Sequence, residues 1–231
     1  MSESVATVRV GTPAPACEPS GRVTRSLLGY GVIAGPLYVA VVLAQAFIRP
    51  GFDLARDDAS LLSNGSLGWI QIVNFLITGA MVIACAAGIR RAMGGGWGWR
   101  LLAVYGIGLI GAGIFVADPM NGFPAGAPAG RPETISVHGM LHIVTAAIAF
   151  LCFVAACFVF ARRFAAQHRS GWARFSLVTG VVFLAAFAGV ASGSGSPVVV
   201  AAFWAALLIA WAWLGALAVH LYRRVPAQAT I

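Results

Sequence analysis

Two histidines and a few carboxylates are the residues of this chain best equipped for chemistry. His138 and His142 stand in SVHGMLH at i and i+4, on one helix face, where both imidazoles can reach one ion. Asp118, in ADPMNGFP, is the natural third ligand. Water would take the fourth position, with Asp57, Asp58 or Glu133 as general base. Zinc suits this donor set, although the HE of the HExxH zinc motif is absent. Haem suits it less, because His168 and His220 fall at the other ends of the apolar runs and cannot meet His138 or His142 across one haem. The plainer account is that His138 and His142 hydrogen-bond Asp118, Asn74 or backbone groups and tie helices together.

A second polar set lies nearby. Gln71, Asn74 and Thr78 are at i, i+3 and i+7, which is one helix face. Gln45 sits near the outer end of the first apolar run, and the segment RPGFDLARDDASLLSNGS supplies three Asp with Arg49 and Arg56. Polar side chains within a membrane are costly and normally face a bundle interior or a water-filled cavity. Gln71, Asn74 and Arg56 are therefore candidate binding residues. The plainer account of Asp53, Asp57 and Asp58 is that they pair with Arg49 and Arg56 to order the loop.

The elements that must position these groups follow from composition. The chain has 231 residues, 60% hydrophobic and 10% charged. A soluble domain carries about 25% charged residues, so this chain cannot clothe a water-facing surface. Six apolar runs approach the roughly 20 residues needed to cross a bilayer. They are expected at about 27–48, 68–89, 101–117, 137–161, 175–191 and 198–222. The runs are continuous rather than alternating, which argues against a β-barrel. The expected fold class is all-α, a polytopic transmembrane bundle of six helices. Residues 1–24 are expected to form a disordered polar cytoplasmic tail without the pattern of a cleavable signal, 25–224 the membrane domain, and 225–231 a short cytoplasmic C-terminal tail.

The net charge of +8 would in a soluble chain suggest nucleic acid. Here every basic residue is Arg, in short clusters between apolar runs, so nucleic acid is not an expected partner. Twelve of the fifteen Arg fall on one side of the predicted bundle. Arg49, Arg56 and Arg131 fall on the other, with Asp53, Asp57, Asp58, Asp118 and Glu133. The positive-inside rule makes the Arg-rich side, with both termini, cytoplasmic. The four Cys are placed inside or in inner halves of spans, so no structural disulfide is expected. Gly106, Gly108, Gly111 and Gly113 resemble a dinucleotide fingerprint, but no strand precedes them. Within a span they let helices approach closely, as do Gly31 and Gly35. Trp204, Trp211 and Trp213 fall within the sixth span, with lipid-facing or packing roles.

The motifs RPGFD, RDDASLLSNGSLGWIQIVNFLITG, GIRRAM, VADPMNGFPAGAP and SVHGMLH together resemble the prokaryotic membrane family called domain of unknown function 998. The resemblance covers about Leu27 to Arg224. It implies a six-helix integral membrane protein and no established activity; the cell membrane is the expected location. The Asp plus HxxxH pattern is also similar to membrane zinc hydrolases that act on lipid amides. Those enzymes use seven spans and three His, whereas two His stand on the relevant face here. Three functions follow as expectations. The first is a structural, binding or accessory role with a polar site under the outer face. The others are a metal-dependent hydrolase of a lipid-type substrate at the outer leaflet, and a small transporter. Membrane lipid is the expected partner, and a homo-oligomer is compatible with a six-span unit.

Overall fold

The computed structural model describes residues 20–226. Six helices follow in order: α1 Ser20–Ile48, α2 Gly68–Met93, α3 Gly98–Ile114, α4 Val137–Ala166, α5 Ser170–Ala191 and α6 Pro197–Tyr222. No strand forms among the described residues; a lone bridge joins Met120 and Phe123. Each helix packs on its chain neighbour, and α6 closes against α1, so the six form a ring. Five helices are long and apolar enough to cross a membrane, and α3 is a shorter apolar helix.

The outer surface of the ring is apolar. Ile33 and Phe47 of α1, Ile107 of α3, Leu151 of α4 and Val181 of α5 are all exposed. Polar Gln71, Thr78, Ser176 and Thr179 are buried instead. That inversion suits lipid, not water, as the surrounding solvent. Inside, Trp213 stands edge-on to Phe153 at 5.6 Å and donates its indole N–H to Ser176 Oγ at 3.0 Å. The second and third Trp of α6 are therefore packing residues, not lipid-facing anchors: Trp211 and Trp213 are both buried.

The glycines of α3 explain how so short a helix is held. A Cβ on Gly106 would stand 2.8 Å from the backbone oxygen of Gly79 on α2, and one on Gly113 3.1 Å from that of Ile72. Gly108 and Gly111 face the other way, onto Ala149 and Thr145 of α4. Small residues on both faces let α3 wedge between two neighbours at close backbone approach. The apolar run was expected to continue to 117, but the helix stops at Ile114. Phe115 turns extended, with φ −98° and ψ 99°. Three residues of the expected span thus become loop, a few residues before Pro119.

Expected boundaries elsewhere shift outward. α1 begins at Ser20, within the segment expected to be tail, and runs unbroken through Pro36. The rest of the expected N-terminal tail and residues 227–231 lie outside the described residues. The two long connections, 49–67 and 115–136, lie at the end of the ring opposite the arginine clusters. Phe123 plugs the space between them, 1% exposed, edge-on to Phe52 at 5.3 Å and beneath the Arg49 guanidinium at 4.6 Å.

Candidate functional site

At this acidic end the ring encloses a cavity of about 450 Å³. All six helices contribute to its wall. On α4 the lining runs from Gly139 to Phe150, which is about 16 Å of helix. Tyr38, Tyr105 and Trp211 close the deep end, with Tyr38 and Trp211 ring centroids 5.2 Å apart. Phe150, Phe187 and Phe203 line the middle, Phe150 packing edge-on to the other two at 5.3 and 5.8 Å. Charged side chains line only the mouth: Asp58, Asp118 and Arg131, with His142 just inside.

Asp58 precedes the short 3₁₀ turn Ala59–Ser63. Its Oδ1 is buried and has no hydrogen-bond partner. Burial, and then the charge of Asp57, push its carboxyl up to about 6, against the opposing pull of Arg131. Arg131 lies against Gly193, just past the C-terminus of α5. A Cβ there would meet its guanidinium at 2.7 Å, and the φ of +85° also favours glycine. A cation at that helix end complements the partial negative charge of the last carbonyls.

Asp118 works at a helix N-terminus. Its two oxygens accept from Ser136 N at 2.9 Å and Ser136 Oγ at 2.5 Å. Ser136 Oγ in turn accepts from Gly139 N at 3.0 Å, as the N-cap of α4. The carboxylate fits only because residue 139 is glycine: a Cβ would lie 2.1 Å from Asp118 Oδ2. His142 holds the end of α3. Its Nδ1 is 2.7 Å from the Phe115 carbonyl, which only accepts, so Nδ1 carries the proton. That leaves Nε2 as the acceptor in the neutral ring.

The other sequence candidates go elsewhere. His138 is exposed, with its ring 6.1 Å from that of Phe115, and does not line the cavity. Glu133 is exposed and does not line it either. Among the described residues no three His, Cys, Asp or Glu side chains come together as metal ligands. Asp57 is wholly buried in the loop. It accepts from Asp53 N at 2.9 Å, from Arg56 Nε and Nη2 at 3.1 Å, and from Asn121 Nδ2 at 3.2 Å. Arg56 is thus its ion-pair partner. Arg49 makes no such pair; it donates to the Leu62 and Asn64 carbonyls.

The polar stripe of α2 seals a helix seam instead of facing the cavity. Gln45 Nε2 donates to Gln71 Oε1 at 3.0 Å, and Asn74 Nδ2 to the Tyr38 carbonyl at 3.2 Å. Thr78 Oγ1 donates to Asn74 Oδ1 at 3.3 Å. By sequence Arg131 is an orientation residue and Trp204 and Trp211 are lipid-facing or packing residues, yet all three line the cavity. The indole N–H groups of Trp204 and Trp211 are buried there without partners. The available signal was Arg131 itself, a lone Arg in an otherwise Gly-, Pro- and Ala-rich loop.

Fold and site together define a multi-pass membrane protein with a mostly apolar cavity under a charged mouth. A family model described as "Protein of unknown function (DUF998)" matches residues 32–220, and the chain belongs to that family. No curated protein and no solved structure matches the chain.

Proposed function

We propose that the protein binds an amphipathic, lipid-type ligand, with the apolar chain in the cavity and the polar head at Asp58 and Arg131. The observation that carries this reading is the cavity's division: aromatic and aliphatic walls along about 16 Å of helix, with charge confined to the mouth. Its volume of about 450 Å³ lies within the range of small-molecule sites. The unpartnered indole donors of Trp204 and Trp211 offer hydrogen bonds to oxygen atoms along such a ligand. The role is binding or accessory. Asp118 capping α4 through Ser136, and His138 standing outside the cavity, favour binding over metal-dependent hydrolysis.

The twelve-to-three division of Arg favours a cell-membrane orientation with both termini cytoplasmic and the cavity opening outward. The ligand then comes from the outer leaflet or the space beyond it. Titration of purified protein with brominated lysophosphatidylcholine tests this, because bromine quenches nearby indoles. Saturable quenching is expected in the native chain and its loss in Ala146→Phe, which fills the cavity. Equal, non-saturating quenching of both proteins refutes the reading.

A further inference from the structure

The opposite end of the ring holds a second concavity, of about 690 Å³. Arg91 at the end of α2, Arg163 at the end of α4, Arg169 in the α4–α5 turn and Arg224 after α6 all line it. Thr24 and Gln167 add polar groups, and no acidic residue among the described residues lines it. All five acidic residues within the described range, from Asp53 to Glu133, belong to the other end of the ring.

Orientation in a membrane requires arginines in the flanking loops, not their convergence. Other arginines at this end serve the simpler purpose: Arg90 lies 5.0 Å from the Trp99 ring centroid, and Arg100 lies 5.1 Å from that of Trp97. The converging set is divided in role. Arg163 ties the α2–α3 turn by donating to the Gly95 and Met93 carbonyls. Arg91 Nε donates to Thr24 Oγ1 at 3.0 Å. Arg169 and Arg224 make no ion pair with a described residue. Burial and the nearby Arg224 charge both hold the Arg169 guanidinium below its usual range. Two like charges thus face one hollow, and an anion bound between them would relieve their repulsion.

We propose that this concavity is a binding site for a phosphate-bearing organic anion. Guanidinium forks match phosphate oxygens two at a time, which favours phosphate over a simple halide. The hollow exceeds what one phosphate fills, and Leu221, Val225 and Pro226 give it an apolar flank for an organic body. The phosphate belongs either to a soluble nucleotide-like molecule or to a phospholipid headgroup; the recognition chemistry is the same. The site is separate from the cavity at the acidic end and does not depend on its reading.

The test uses full-length protein and its thermal midpoint. In neutral detergent, ATP is titrated against potassium chloride at matched ionic strength. In parallel, nanodiscs of phosphatidylcholine are compared with nanodiscs containing phosphatidylglycerol. Arg169→Gln combined with Arg224→Gln is expected to weaken the response about tenfold or more. Arg174→Gln with Arg223→Gln removes equal charge from exposed positions that do not line the hollow, and is expected to respond as the native chain does. A saturable rise with ATP assigns a soluble phosphate, and a rise only with phosphatidylglycerol assigns a headgroup. No rise with either probe beyond the salt control overturns the proposal, as does an equal loss in both double variants.

Discussion

Asp57 and Asp58 are adjacent in the chain and opposite in circumstance. Asp57 is buried with four donors around its carboxylate, so its charge is met. Asp58 is turned into the cavity with one oxygen unpartnered. Asp57→Ala leaves those donors without their acceptor, at a cost of about 2–4 kcal/mol. Limited proteolysis should then cut between α1 and α2 in the variant and spare the native loop. Asp58 sets a pH dependence. Its folded carboxyl titrates at about 6, above the ordinary 3.8, so in that window the folded protein holds a proton the unfolded chain has released. Stability from this group is therefore full below about pH 4 and is lost as pH rises through about 6. The thermal midpoint of the native protein should fall over that range relative to Asp58→Asn, which stays neutral. Parallel curves for the two proteins would refute this assignment.

At the scale of elements, close helix contact and helix-end capping carry the site. The α2–α3 seam brings Gly79 and Gly106 backbone to backbone, with a Cβ on Gly79 only 2.6 Å from the Gly106 oxygen. Gly79→Ala should cost roughly 1–3 kcal/mol in unfolding from mixed micelles. Gly29→Ala is the control: nothing lies within 4 Å of a Cβ there, and alanine suits a helix interior better. An equal loss in both would mean that close approach is not what holds α3. At the mouth, His142 caps the end of α3 and Asp118 the start of α4. His142→Ala orphans the Phe115 carbonyl and should cost about 1–3 kcal/mol. His142→Gln, with an amide donor, should restore part of it. A protein equally stable with alanine or glutamine would show that the cap contributes nothing.

At the scale of the molecule, the ring separates two chemistries. An amphipathic cavity opens at the acidic end, and an arginine-lined hollow sits at the other. Their assignment to opposite membrane faces has a direct check. In a background with the native cysteines replaced, Ala55→Cys and Gln167→Cys mark the two ends, at exposed positions of the described chain. Ala55→Cys should react with an impermeant maleimide on intact cells, and Gln167→Cys only after permeabilisation. The reverse pattern would invert the proposed orientation.

Much of this architecture was legible in residue order. Long apolar runs specify helices because a membrane leaves backbone groups no partners but each other. Run length and arginine placement therefore led to six helices and their alternation. The glycines of α3 and the polar face of α2 were legible as packing devices for the same reason: both recur at helical spacing. The candidate site was only half legible. Asp58, Asp118 and His142 line one cavity, whereas Asp57, Gln71 and Asn74 became struts and His138 stayed outside. Helical spacing tells which side chains share a face, not which neighbour that face meets. Closure of α6 onto α1 decided that Trp204 and Trp211 would look inward, and the fold of the 115–136 loop decided that Arg131 would stand beside Asp58. Those outcomes depend on contacts between residues far apart in sequence, and no local pattern encodes them.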